Sequence, residues 1–343
     1  MEKIIKILLL VLLISGCTNR DIEFKDFDYV GIYFPHQTPL RTLILGDEVI
    51  GENSIDLEKA FSIGVTMGGA YNNTKDRIVS IEYAPHLVNN LTDGDGKQLT
   101  LMPSDYYNAS FDKITIPAGS FFGNVRVNLT DAFFQDELTT GLNYVIPLLI
   151  TEVNNGDTIL SGRPQSSVTY PDRRIKSDWL VQPKDYVLFG VKYINPMHGV
   201  YLIRGKRTNL VNPQDVHSYS TPYLVNNDMT KLTTRSLTEN IMTTIGGSTG
   251  DAKYNMVLTF DESTQKIKIS QNNTSTVEVE GTGKYFTKND EGAESYNGKK
   301  HRTIYLDYIY SNNGNTYQVN DSLVFVDTDI TFESFEIKVS APN

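Results

Sequence analysis

The stretch Phe61-Ser62-Ile63-Gly64-Val65-Thr66-Met67 decides the fold class. Its larger apolar side chains occupy every second position, with small or polar residues between them. A period of two is typical of a β-strand that buries one face and exposes the other. Val125, Val127 and Leu129 alternate with polar residues in the same way. These patterns predict a mainly β protein.

Working outward, other short strands are expected at 78–83, 114–116 and 144–151. Their spacing is typical of a sandwich. A helical turn is expected at 131–138, with Asp131 as its N-cap. We predict that residues 28–165 form one antiparallel β-sandwich of immunoglobulin-like type.

The second half of the chain predicts a different β architecture. Residues 166–178 form a polar, proline-containing stretch, which is typical of a linker. The strands that follow are longer and are joined by tight polar turns. A meander of about eight such strands tends to close into a barrel. We therefore predict a lipocalin-like antiparallel β-barrel over residues 179–343. Its expected strands lie at 199–205, 254–260, 266–270, 275–280, 301–310, 318–326 and 331–339.

The first residues predict export and a lipid anchor. A basic start, an apolar run over 7–14 and the small residues Ser15 and Gly16 are typical of a secretory signal at 1–16. The apolar run is shorter than the ~20 residues that span a bilayer. Residues 14–17 also resemble the bacterial lipobox, which implies lipid attachment at Cys17. Residues 17–27 are then a lipidated spacer.

Composition excludes some classes of function. The net charge is −10 and no basic stripe occurs, so nucleic acid is not an expected partner. Cys17 is the only cysteine. With that thiol acylated, the mature chain has neither a disulfide nor a cysteine nucleophile. Tyrosine (20) far exceeds tryptophan (1), which suits exposed strands and also sugar-contacting surfaces.

No motif of the sequence predicts a catalytic residue, a metal site or a cofactor. The run from Asp327 to Glu333 resembles the acidic motif of chitinase-like glycosidases, but its Glu lies two residues too late and no parallel β/α pattern surrounds it. The run at 93–97 resembles a calcium loop without the later acidic ligands, and a plain glycine turn is the simpler interpretation. The five histidines lack metal-ligand spacing.

One segment permits two interpretations. Residues 192–201 place aromatic, amide and imidazole groups just before a strand. They either line a barrel mouth or form a buried plug, in which Tyr193 and Tyr201 close one end and His198 is satisfied by the backbone.

Two families resemble parts of the chain. Six short blocks in the first half resemble the N-terminal domain of unknown function 1735. These blocks are residues 33–35, 39–46, 61–65, 102–107, 116–119 and 144–148. Residues 192–201 and the later strands resemble the lipocalin-like domain of unknown function 4361. The resemblance implies a surface or periplasmic lipoprotein. Of these two, we expect an outer-membrane anchor at the cell surface rather than on the periplasmic face. The resemblance also implies a gene position beside an outer-membrane glycan importer.

These observations favour a non-catalytic, membrane-anchored lipoprotein that binds a polysaccharide or oligosaccharide as an accessory to glycan uptake. Sugars stack on aromatic rings and bond to polar side chains. The candidate contacts in the second half are Trp179, Tyr193, Tyr201, Tyr219, Tyr223 and Tyr296.

Three alternatives remain open. The protein could be a glycoside hydrolase with unrecognised carboxylates, among which Glu333 is the first to test. It could instead be a structural or adhesive lipoprotein, or a barrel that carries a small apolar ligand.

Overall fold

A computed structural model describes residues 29–47, 51–247 and 255–340. Cys17, the signal and the spacer lie outside the described residues. In its described residues, the first part of the chain forms strands, two short α-helices and four single-turn 3₁₀ helices. The strands and α-helices are β1 (Gly31–Tyr33), β2 (Pro39–Ile44), α1 (Ser54–Leu57), β3 (Ala60–Gly68), β4 (Arg77–Tyr83), β5 (Leu91–Asp93), β6 (Thr100–Leu101), β7 (Tyr107–Asn108), β8 (Lys113–Ile116), β9 (Phe122–Leu129), α2 (Asp131–Gln135), β10 (Tyr144–Asn154), β11 (Thr158–Ile159), β12 (Arg163–Pro164), β13 (Trp179–Val181) and β14 (Tyr186–Ile194).

These strands build the predicted β-sandwich. One sheet has the order β11-β1-β3-β9-β7, and the facing sheet contains β2, β14, β10, β4 and β8 in that order. The alternation in β3 has the expected effect, because Phe61, Ile63, Val65 and Met67 are all buried while Ser62 is exposed. Their burial against the facing sheet supplies the main driving force for this domain.

The expected helical turn is present but begins differently. Helix α2 starts after Thr130, which is its N-cap residue, so the prediction of Asp131 as N-cap is wrong. Thr130 has extended backbone geometry, whereas Asp131 already has its place in the helix. Within the described residues, every helix is too short or too polar to cross a membrane.

The second part of the chain forms the predicted barrel. The strands of this part of the chain, of which the last two return to the sandwich, are β15 (Gly199–Asn209), β16 (Val216–Ser218), β17 (Asp228–Thr234), β18 (Glu239–Met242), β19 (Met256–Asp261), β20 (Lys266–Gln271), β21 (Glu278–Phe286), β22 (Ser295–Tyr296), β23 (Lys299–Lys300), β24 (Thr303–Asn312), β25 (Asn315–Asp327), β26 (Glu333–Ser334) and β27 (Ile337–Val339). In the described residues, eight antiparallel strands form a closed barrel, because the first of them, β15, pairs with the last, β25. The eight strands are β15, β17, β18, β19, β20, β21, β24 and β25. Closure removes unpaired strand edges.

Side chains fill the interior of the barrel. Tyr201, Leu232, Leu258, Tyr308 and Leu323 belong to one buried cluster contributed by strands around the wall. A packed interior of this kind disfavours the carrier alternative, because an enclosed apolar ligand needs space that these side chains occupy.

The chain passes between the two domains twice, and this moves the domain boundary. Strand β14 pairs with β10 and β2, so residues 186–194 belong to the sandwich although the composition break predicts a barrel from 179. Strand β26 returns from the barrel to pair with β2, and β27 pairs with β5. The expected barrel strand at 331–339 therefore lies in the sandwich. Short apolar runs show which residues form strands, but not which sheet receives them.

A buried amide pair joins the domains where β14 gives way to β15. The Asn195 Nδ2 donates to Asn240 Oδ1 at 2.8 Å, and the Asn240 Nδ2 donates back to Asn195 Oδ1 at 3.1 Å. Asn195 also donates to the carbonyls of Ser236 and Glu239. These bonds fix the start of the barrel relative to the last sandwich strand.

Candidate functional site

A surface groove of about 360 Å³ lies on the outer wall of the barrel. Its walls come from β15, from the loop before β17 and from β22. Two of the six predicted sugar-contacting residues, Tyr223 and Tyr296, line this same groove. The other lining residues are Arg204, Pro222, Leu224, Val225, Glu294, Ser295 and Asn297.

Opposite charges balance each other within the groove. The Arg204 guanidinium pairs with the Glu294 carboxylate. Glu294 also accepts hydrogen bonds from Ser322 Oγ at 2.7 Å and from the Tyr305 hydroxyl at 3.2 Å. Burial and the neighbouring Glu294 charge raise the pKa of Tyr305, so this hydroxyl stays a donor. The network fixes both charged side chains and leaves the groove without net charge.

Tyr296 is held in place on two sides. Its ring stacks on the His301 imidazole, with centroids 3.9 Å apart and planes 17° apart. Its hydroxyl donates to the Phe325 carbonyl at 3.0 Å. These contacts orient the ring before any ligand arrives, which lowers the entropy cost of binding.

Tyr223 lies on a loop that one buried asparagine organises. The Asn227 Oδ1 accepts from the Thr221 backbone at 2.7 Å, and its Nδ2 donates to the Leu224 carbonyl at 2.9 Å. The Tyr223 side chain itself is 71% exposed. The loop therefore presents an aromatic ring to solvent from a fixed backbone.

The groove presents side chains of the kinds that can contact a neutral sugar. Exposed aromatic surface can stack on the apolar face of a pyranose ring. Arg204 supplies donors, and Glu294 supplies acceptors, for the hydroxyl groups. Because the two charges cancel, the groove favours an uncharged ligand over an anionic or cationic one.

The other four predicted contacts do not reach this groove. Tyr193 is fully buried in the sandwich core against Phe134, and Tyr201 is fully buried in the barrel. Trp179 is nearly buried and donates its indole N–H to the Asp172 carbonyl at 2.7 Å. The Tyr219 hydroxyl donates a hydrogen bond to Asp321 Oδ1. Because none of these four side chains lines the groove, we assign them to the structural framework.

The sequence could not have brought the charged members of the groove together. Arg204 and Glu294 are separated by 90 residues and meet only because barrel closure places β15 near β22. The sequence-based prediction of sugar contacts used only the aromatic character of each residue. It therefore selected Tyr223 and Tyr296 together with four residues of the structural framework.

The acidic run at the end of the barrel is divided between the two domains. Asp327 ends β25, whereas Glu333 lies in β26 and pairs with Lys192 at 2.7 Å. In the run at 93–97, Asp93 Oδ1 accepts from the backbone of Asp95 and Lys97 at 3.0 and 2.8 Å, as a tight glycine turn requires. In the described part of the chain, no group of three or more acidic, histidine or cysteine side chains could hold a metal ion.

The segment at 192–201 is buried rather than part of a barrel mouth. Its His198 Nδ1 accepts from the Thr234 backbone at 3.0 Å. Burial lowers the pKa of His198 to about 4, so the imidazole is neutral at pH 7. The plug interpretation is confirmed for Tyr201 and His198, while Tyr193 packs in the sandwich instead of the barrel.

The fold and groove define a class of two-domain, all-β proteins with a candidate binding surface on the barrel. Residues 25–157 match a family model that is described only as an N-terminal domain. Residues 196–329 match DUF5627, a domain of unknown function. This second match replaces the domain 4361 that the sequence resemblance implies. No curated protein matches the sequence.

The chain belongs to the family of a Bacteroides ovatus protein of unknown function with a known crystal structure. The two sequences are 32% identical over 92% of this chain and 100% of that one, with a TM-score of 0.83. A Bacteroides ovatus multidomain protein that includes DUF1735 is 14% identical over 88% of this chain and 97% of that chain, with a TM-score of 0.43. An auxiliary nutrient binding protein from Bacteroides thetaiotaomicron is 12% identical over 85% and 92%, with a TM-score of 0.40. The last two likenesses are too weak to indicate a shared site.

Proposed function

We propose that this protein is a non-catalytic lipoprotein that binds a neutral glycan in the groove of Tyr223 and Tyr296. Cys17 carries the lipid that anchors the protein in the outer membrane, at the cell surface. There it serves as an accessory to a glycan importer. The observation that carries the proposal is the groove itself, where two predicted sugar-contacting tyrosines flank a charge-balanced Arg204–Glu294 pair.

The physical support is the preorganisation of the groove. Tyr296 is fixed by His301, the Tyr223 loop is fixed by Asn227, and the two charged groups are fixed by each other. A ligand therefore meets aromatic surface and hydrogen-bonding groups that need little ordering. An open surface groove suits binding along a glycan chain better than enclosure of a free molecule.

Affinity electrophoresis tests the proposal. The purified mature protein migrates through native gels that contain one neutral polysaccharide each, across a panel of plant and yeast glycans. We expect retardation by at least one neutral polysaccharide and none by strongly anionic polymers, because the acidic surface repels them. Unchanged mobility throughout the panel contradicts glycan binding.

A further inference from the structure

A second cavity, of about 570 Å³, lies in the sandwich and is separate from the barrel groove. Residues of β3 and β9 line it from one sheet, and residues of β2 and β14 line it from the other. The returning segment 330–332 forms part of its rim. The volume lies in the range of small-molecule sites, about 300–1,000 Å³.

Aromatic side chains give this cavity an apolar wall. Phe122 and Phe332 both line it and are 64% and 72% exposed, although such side chains gain free energy from burial. Phe189 also lines the cavity and stacks on the core ring of Phe61, with centroids 5.3 Å apart. A flat apolar ligand would cover the two exposed rings.

The buried charges of the lining are paired with each other, and the remaining carboxylate, Glu52, is exposed. Asp56 has a buried side chain, pairs with Arg41 and accepts the Ile44 N–H at 2.9 Å. Glu52 lies at the exposed rim, where it accepts the Ser54 N–H. Burial raises the pKa of Asp56, although the Ile44 N–H and the Arg41 charge both act to lower it. A neutral ligand avoids competing with this pair.

We propose that the sandwich cavity binds a neutral, flat, mostly apolar small molecule. The rings of Phe122 and Phe332 cover its faces or edges. The site is independent of glycan binding on the barrel, so either activity can be lost without the other.

Fluorescence of N-phenyl-1-naphthylamine, a neutral and mostly apolar amine with a flat naphthalene ring system, tests the cavity in the full mature protein. We expect a saturable increase in fluorescence with one equivalent bound. Ser62 is exposed and lines the cavity, so Ser62→Trp fills it and weakens binding about tenfold or more. Thr151→Trp, at an exposed position on β10 outside the cavity, leaves binding unchanged. The absence of saturable binding, or equal binding by Ser62→Trp, overturns the proposal.

A second pair of variants covers the case in which Ser62→Trp does not fold. Phe122→Ala and Phe332→Ala alter exposed rings, so both proteins should keep the wild-type thermal midpoint. Each should weaken the binding of N-phenyl-1-naphthylamine by about threefold to tenfold. Wild-type affinity in both folded variants overturns the site.

Discussion

Asp321 is a buried carboxyl group in the wall of the barrel. It accepts hydrogen bonds from the Tyr219 hydroxyl and from the Tyr308 hydroxyl, the latter at 2.8 Å. Burial raises the pKa of Asp321 from 3.8 to about 6, and these two hydrogen bonds oppose the rise. Between pH 4 and pH 6 the folded protein therefore holds a proton that the unfolded chain has released.

This residue predicts a pH dependence of stability. Because the folded state binds the proton more tightly, the stabilisation from Asp321 is present below about pH 4 and is lost as pH rises through 6. The loss amounts to about 2–3 kcal/mol between pH 4 and pH 7. We expect urea unfolding of the wild type to lose this amount relative to Asp321→Asn over that interval. Parallel pH curves for the two proteins contradict the shifted pKa.

His198 acts in the opposite direction, which is why the comparison with Asp321→Asn is needed. Its pKa is lowered to about 4 by burial, so protonation of the unfolded chain below pH 6.5 destabilises the fold. The wild-type curve alone sums the two effects. Subtracting the variant isolates the carboxyl group.

At the residue scale, the sequence shows which side chains are aromatic, but not whether each one is buried or exposed. Tyr201 and Tyr223 were equivalent candidates, yet one is fully buried and the other is 71% exposed. Tyr201 shares the inward face of β15 with Ile203, and that apolar alternation was the available sign of burial. Tyr223 follows Pro222 in a loop, and loops are the usual location of binding residues.

At the element scale, Asn195 and Asn240 couple β14 to the barrel through their reciprocal amide bonds. Both side chains are almost fully buried. Removing either leaves the other amide buried without its partners, which is costlier than removing both.

A double-mutant cycle tests this coupling. We expect Asn195→Ala and Asn240→Ala each to lower the free energy of unfolding by about 2–4 kcal/mol. The double variant should lose about 1–2 kcal/mol less than the sum of the two. Urea unfolding at pH 7 measures all four proteins. The coupling is contradicted if the losses in free energy of unfolding are additive. It is also contradicted if both single variants lie within about 0.5 kcal/mol of the wild type.

The strands were largely predictable, and their assignment to sheets was not. The alternation in β3 predicted its buried face, and the meander from β19 to β25 predicted a barrel. By contrast, β14 and β26 reach the sandwich through long-range pairing with β2. Local periodicity contains no information about a partner strand more than 100 residues away. The two passages of the chain between domains therefore became visible only in the structure.

At the scale of the whole molecule, the proposed anchor and the proposed binding surface occupy different parts of the chain. Cys17 precedes the sandwich, and the groove lies on the barrel. In the proposed arrangement, the sandwich separates the anchor from the groove along the chain. The paired Asn195 and the returning β26 limit the freedom of the barrel relative to the sandwich.

Substitution of the anchor tests this arrangement in cells. Cys17→Ser removes the only thiol, so we expect loss of palmitate incorporation and release of the protein from the outer-membrane fraction. Ser15→Ala, which keeps a small residue before the cysteine, should remain attached. Retention of Cys17→Ser in washed membranes contradicts lipid anchoring and leaves the glycan site to be judged separately.

The central claim is that the barrel groove binds a neutral glycan, and a matched pair of tyrosine variants tests it most directly. Tyr223 lines the groove, whereas Tyr170 is 90% exposed outside it. Isothermal titration with an oligosaccharide from the retarding polysaccharide should give about tenfold weaker binding for Tyr223→Ala, because one stacking contact is lost. Tyr170→Ala should bind like the wild type. Wild-type affinity in Tyr223→Ala, or an equal loss in both variants, would contradict the account.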